Sequence, residues 1–256
     1  MLRRLSKPSP VMVVAVTSTL CLVAGGLFAA GVIRTKAEAD SGSQCGNTAA
    51  ETLGWGTPNR TSDFTDPSSL DAWTLYDSVG HGGNGRRTPE AISATDGVLT
   101  ITGDARGNSG GMGSFPGQLY GRWEACIKSP PSAPGYHAVF LLWPDAEDWP
   151  VGGEVDIMEA KRPDRQSVES WLHYGRDDDR VRNEMPIDAT QWHSWAVEWT
   201  PKHVAVYVDG VMWWEETDHA KLPPRSMHAC LQLDNMGGDV SQGAQMMVDW
   251  LKQYPV

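Results

Sequence analysis

Gly152-Gly153-Glu154-Val155-Asp156-Ile157-Met158-Glu159 is the stretch on which the fold turns. It sets three carboxylates among Val, Ile and Met, and the β-branched pair favours a strand. A helix would turn Glu154 and Glu159 about 140° apart, at ~100° per residue, so their side chains would diverge. On a strand, Glu154 and Asp156 share one face at period two and Glu159 falls on the other. A single β-bulge between Asp156 and Glu159 adds one residue and returns Glu159 to the face of the other two.

The sequence on either side reads the same way. Asp96-Gly97 precedes the alternating Val98 to Thr102, and Trp123 to Ile127 is a further strand candidate. Ala138 to Trp143 is a continuous apolar run and predicts a buried strand. Trp195 to Trp199 alternates. Val204 to Val208, Asp209-Gly210 and Val211 to Trp214 predict a hairpin, because Asp-Gly suits a primed turn. Cys230 to Asp234 and Met246 to Leu251 complete the set. No strong amphipathic helix, internal repeat or second domain is evident. Many short strands with polar turns predict an all-β sandwich or barrel. Arg176 to Glu184 holds seven charged residues among nine and reads as a solvated loop.

Residues 1–39 stand apart. Arg3, Arg4 and Lys7 form a basic start, Val11 to Ile33 is mostly apolar and uncharged, and Ala37-Glu38-Ala39 is a small-x-small cleavage pattern. This predicts a signal peptide cut before Asp40. The apolar run is long enough to span a bilayer, so an uncleaved signal-anchor is the alternative, and only then is the membrane a partner. Either way the remainder is exported, to the extracellular space or the cell envelope. Asp40 to Asn59, rich in Gly, Ser, Thr and Ala, reads as a flexible leader, and 60–256 as one domain. Cys45, Cys126 and Cys230 allow one disulfide and one free thiol, with every pairing open.

The composition excludes several classes. Forty per cent apolar and 21% charged residues are not those of a disordered chain. Gly 27 and Pro 17 follow no period, which excludes collagen-like sequence. A net charge of −11 without a basic stripe argues against a nucleic-acid partner. Twelve Trp against four Phe is an unusual ratio, and Trp faces either fill sheets or stack on sugar rings.

Three ionised carboxylates this close repel, so at least one should hold a proton near neutral pH and the cluster should titrate as a unit. A protonated acid beside an ionised carboxylate is what glycoside hydrolysis needs. With the bulge, the two Glu Cα atoms sit roughly 13 Å apart, and side chains leaning together close that to the ~5–5.5 Å of a retaining pair.

Here the chain resembles the glycoside hydrolases of family 16, laminarinase-like enzymes with a curved β-sandwich of jelly-roll, concanavalin A-like type and a substrate cleft on its concave face. Their bulged Glu-x-Asp-x-x-Glu signature is matched by Glu154 to Glu159. Tyr120 to Lys128 is similar to a family strand, with Cys126 where Arg is usual. Asp148 to Gly153, Trp195 to Pro201, Tyr207 to Gly210 and Val248-Asp249-Trp250 match further segments. The resemblance implies that Glu154 is the nucleophile, Glu159 the general acid and then base, and Asp156 the carboxylate that tunes the nucleophile. It implies a cleft aromatic at Trp149, a cleft histidine at His173 with Trp171 beside it as a further substrate-binding residue, and a sugar-binding asparagine at Asn84. Phe140 stands where laminarinase members commonly carry Trp, a departure that bears on which glycan is bound.

The resemblance further implies a secreted, monomeric endo-hydrolase of a β-1,3- or β-1,3-1,4-glucan with no catalytic cofactor, and a structural calcium for which Asp249 is a ligand candidate. A galactan-type hydrolase, a transglycosylase and a lectin-like binding module are the alternatives. Gly107-Asn108-Ser109-Gly110-Gly111 fits a serine-hydrolase pattern, but the Gly- and Pro-containing stretch after it cannot form the helix that motif needs. No His-x-x-x-His or Cys-x-x-Cys pair points to a zinc site.

Overall fold

The computed structural model describes residues 42–256, and the export segment predicted over 1–39 lies outside them. The early strands are short: β1 (Arg60–Ser62), β2 (Thr74–Leu75), β3 (Ser78–Val79), β4 (Arg86–Arg87) and β5 (Ile92–Thr95). β6 (Val98–Gly103), β7 (Gly111–Gln118), β8 (Gly121–Lys128), β9 (Tyr136–Pro144) and β10 (Glu154–Ala160) follow. Then come β11 (Ser167–Tyr174), β12 (Asp179–Pro186), β13 (His193–Trp199), β14 (Val204–Val208), β15 (Val211–Glu216), β16 (Met227–Asn235) and β17 (Ala244–Tyr254). The one α-helix among the described residues, α1 (Ala49–Leu53), is five residues long.

The strands form two large antiparallel sheets. A cleft sheet runs β12-β11-β10-β9-β16-β7-β2, and a back sheet runs β15-β14-β13-β8-β17-β6-β5 with β1 on β17. This is the all-β sandwich expected, of jelly-roll type. Its core fills the space between the sheets with Trp123, Trp195, Trp199, Phe140, Leu142, Leu99, Ile101 and Met112, all fully buried. Part of the tryptophan excess is thus core. The Asp-Gly turns behave as their chemistry requires. Asp209 and Gly210, at φ 49° and 77°, join β14 to β15, and Asp96 and Gly97, at 53° and 79°, join β5 to β6.

Two sequence readings are corrected. The charged run 176–184 is not simply a loop: from Asp179 it is β12, the edge strand of the cleft sheet. Val181 and Met185 pack on the core while Arg182 and Glu184 lie on the opposite, exposed face, so the strand tolerates its charges. The Gly/Ser/Thr-rich 42–59 is fastened down rather than loose. Cys45 is disulfide-bonded to Cys126 on β8, α1 buries Ala49 and Ala50, and Gln44 N–H donates to Asp249 Oδ2 at 2.7 Å. The remaining thiol, Cys230, is buried.

Candidate active site

The β10 register is where strand geometry becomes a site. Glu154, Asp156 and Glu159 pair with His173, Trp171 and Glu169 on β11, so between Asp156 and Glu159 two residues of β10, Ile157 and Met158, oppose one of β11, Ser170. Against β9, Asp156 pairs with Leu141 and Met158 with Phe140, which puts the extra residue at Ile157. Ile157 and Met158 are consecutive and both lie in the core, so Glu159 comes back to the side of Glu154 and Asp156. Gly152 and Gly153 bring the chain into this strand. Gly153 has φ 80°, and a Cβ on Gly152 would lie 2.4 Å from Asp148 Oδ1 and 2.6 Å from Pro144 Cβ.

The three carboxylates line a cleft of about 840 Å³ together with Trp149, Trp171 and His173. Of the residues singled out from sequence, six are therefore gathered in one place. Asn84 is not among the lining residues; its Nδ2 donates to the His81 carbonyl at 3.1 Å, within a turn. Phe140 is fully buried in the core, so the Phe/Trp departure there does not face the cleft; its neighbours Val139 and Leu141 do. Trp149 is 42% exposed and its ring lies parallel to that of Trp143, centroids 6.4 Å apart and planes 9° apart. Ser109, from the serine-hydrolase pattern, is buried and leads into β7 rather than a helix.

His173 ties the cluster together. Its Nε2 lies 3.4 Å from Asp156 Oδ2 and its Nδ1 2.6 Å from Asp178 Oδ1. Burial works against the imidazolium, but Asp156, Asp178 and Glu154 outweigh it and raise His173 to about 9. Burial pushes the Glu154 carboxyl well above the usual carboxylate range and the Asp156 charge adds to it, while His173 and a hydrogen bond from Trp149 oppose. Burial also raises Asp156, against the pull of His173. The cluster thus favours holding a proton, as three neighbouring acids should.

Glu159 is held from two sides. His137 Nδ1 on β9 is 3.0 Å from Oε1, and Lys161 Nζ is 3.2 Å from Oε2. Lys161 also reaches Glu169 Oε2 at 2.8 Å, and Arg182 Nη2 reaches Glu169 Oε1 at 2.7 Å. At the far side of the cleft, Arg87 bonds Asp234 and Gln232. Sequence reading missed His137, Lys161, Glu169, Asp178 and Arg182. Only Asp178 and Arg182 had a local signal, the Val181/Met185 alternation that marks β12. Asp249 Oδ2 is engaged by Gln44 N–H, and among the described residues no three His, Cys, Asp or Glu gather to hold a metal.

Comparisons with known proteins agree with this fold. A family model for glycosyl hydrolases family 16 matches residues 84–252. Endo-1,3-1,4-beta-glycanase ExsH of Rhizobium meliloti (strain 1021) is 25% identical over 64% of this chain and 39% of its own length. A beta-1,3-glucan-binding protein of Penaeus monodon is 26% identical over 59% of this chain and 45% of its own length. The chain therefore spans less than half the length of these curated relatives. Among solved structures, the LamA catalytic domain from Zobellia galactanivorans covers 79% of this chain and 99% of that one at 20% identity, with TM-score 0.65. The endo-beta-1,3-glucanase of Pyrococcus furiosus covers 77% and 94% at 19% identity, also with TM-score 0.65. At these identities the two structures speak for the fold.

Proposed function

The chain belongs to the glycosyl hydrolases of family 16, and from that premise we propose that it is an exported retaining endo-hydrolase of a β-1,3- or β-1,3-1,4-glucan. The bulge in β10 carries the reading, because it turns Glu154, Asp156 and Glu159 into one cleft. Glu154 attacks the anomeric carbon while Glu159 gives its proton to the departing glycosidic oxygen. A glycosyl ester on Glu154 forms and the bond to the leaving sugar breaks. Glu159, now ionised, takes a proton from water, and that water's oxygen displaces Glu154 with net retention. Attack requires Glu154 to be an anion against the push of burial. The two groups opposing that push, His173 and Trp149, flank it. Trp149, exposed beside Glu154, offers a sugar a stacking face.

The similarity to endo-1,3-1,4-beta-glycanase ExsH supports the glucan, and the Cys45–Cys126 disulfide supports the exported compartment that residues 1–39 suggest. A glucan-binding module is the second reading, favoured by the similarity to the Penaeus monodon protein. Retention of all three carboxylates speaks for cleavage. Glu154→Gln and Glu159→Gln should each lower activity on laminarin or lichenan by roughly 10³-fold or more. With an activated aryl glycoside, which needs no proton, only Glu159→Gln should give a burst and a trapped adduct on Glu154. Wild-type protein that binds laminarin without releasing reducing ends would establish the binding module instead. Inverted product by NMR would overturn the mechanism.

A further inference from the structure

We propose that Lys161 is a positioning residue for Glu159, holding its carboxylate in place for proton transfer by bridging it to the Glu169–Arg182 ion pair on the neighbouring strands. The proposal rests on the reading of Glu159 as acid and base.

Lys161 directly follows β10, and its ammonium lies 3.2 Å from Glu159 Oε2 and 2.8 Å from Glu169 Oε2. Glu159 and Glu169 are Cα partners across the β10–β11 ladder. Two like charges directly opposite on one face repel, and Asp156 adds a third acid nearby. Lys161 lies between the facing pair and turns a repulsion into two attractions. Three things keep it there. Glu169 is itself fixed by Arg182 at 2.7 Å, and these two cations hold Glu169 down to about 2 even though burial resists. The Lys161 ammonium also sits 4.6 Å from the centroid of the Trp171 ring. Its side chain is 31% exposed, so it is partly shielded from water.

The bridge explains how one flexible glutamate keeps one geometry. His137 fixes Oε1 from the β9 side and Lys161 fixes Oε2 from the β11 side. A general acid must come within about 3 Å of the oxygen it protonates. Misplacement by about 1 Å costs on the order of 10²-fold in rate. Trp171, read from sequence as a sugar contact, has its ring occupied by Lys161 and by Arg182 at 5.5 Å, and on this account it seats the bridge.

Leaving-group dependence tests this. Lys161→Met keeps the aliphatic stem and removes the charge. On laminarin or lichenan it should lower kcat by roughly 10- to 100-fold with KM changed by less than about 3-fold. The burst of a dinitrophenyl β-glucan oligosaccharide, whose leaving group needs no proton, should stay within about 3-fold of wild type. Lys161→Arg should recover part of the loss on polysaccharide. Glu169→Gln, which frees Lys161 from its far anchor, should show the same selectivity at smaller size and serves if Lys161→Met does not fold. Equal losses on both substrates, or no loss on either, overturn the proposal. If Glu159→Gln itself fails to separate the two substrates, the acid/base reading falls instead.

Discussion

Glu124 on β8 and Asp156 on β10 are buried acids on facing sheets, 0% and 6% exposed. Around Glu124 the fold supplies donors: Ala49 N–H at 2.6 Å, Ala50 N–H at 3.1 Å and the Ser194 hydroxyl. The first two are free N–H groups at the start of α1, so the carboxylate clasps the helix to the back sheet. Around Asp156 stand two other acids, Glu154 and Glu159, opposed by His173, whose Nε2 lies 3.4 Å from Asp156 Oδ2, and by Lys161. Burial raises both carboxyls. The difference lies in what each faces. Donors fixed by backbone make a joint, whereas acids crowded together at a cleft hold protons that can move. The hydrogen bonds at Glu124 serve stability, while burial makes the charge itself costly at both positions.

Neutralising each acid should separate the two roles, and this is the largest effect expected. Asp156→Asn relieves repulsion in the cleft, so stability should hold or rise by about 1 kcal/mol while activity on glucan falls by roughly 100-fold. Glu124→Gln turns an amide NH₂ toward N–H donors, so it should cost about 2–3 kcal/mol in denaturant unfolding and leave kcat unchanged. Equal destabilisation by the two substitutions would break the comparison.

The back-sheet joint has a second fastening two residues along the same strand. Cys126 is bonded to Cys45 across 81 residues of sequence. Trp250 Nε1 also donates to Ser43 Oγ at 2.8 Å. Closing so long a loop should be worth about 2–4 kcal/mol. The Cys45→Ser/Cys126→Ser double variant should lose about that much in unfolding experiments and keep its kcat at 25 °C. A fall in kcat beyond about 3-fold would mean that the back-sheet strap reaches the cleft after all.

What the sequence disclosed follows a physical line. The bulge was readable because three acids and three apolar residues in one short segment can satisfy the core in only one way. The hairpin at Asp209-Gly210 was readable because positive φ at both positions selects those residues. The leader was misread although Thr48 precedes Glu51 by three and Gly54 closes the helix in the left-handed region, a cap pattern at both ends of α1. Composition outweighed pattern there. β12 was missed because an edge strand can carry charge on its open face, and only Val181 and Met185 betray it. The Lys161, Glu169 and His137 contacts had no local signal, because they arise from register between strands.

The smallest effect concerns pH, and it sets the cleft histidine apart from the buried carboxyls of both regions. His173 holds its proton to about 9 when folded, against ~6.5 in an unfolded chain. Its folded value is the higher one, so the folded state binds the proton more tightly. The resulting stability is complete below about pH 6.5 and is lost as pH rises through 9. Glu124 has the same sign, its folded value being raised, but its contribution is complete only below the unfolded glutamate value of ~4.3 and is lost above it. His173 should therefore withdraw its stability on the alkaline side, whereas Glu124, like the cleft acids Glu154 and Asp156, withdraws its own as pH rises above the unfolded carboxylate range. Thermal unfolding of wild type and His173→Gln at pH 6, 7.5 and 9.5 reads this directly. The wild-type advantage in Tm should be greatest at pH 6 and nearly gone at 9.5. Asp178→Asn, which removes the closer carboxylate partner at 2.6 Å, should move the loss to lower pH without abolishing it. An advantage that stays constant across the three pH values would mean that His173 stays neutral in the fold, and that the cleft acids stand without a cation at their centre.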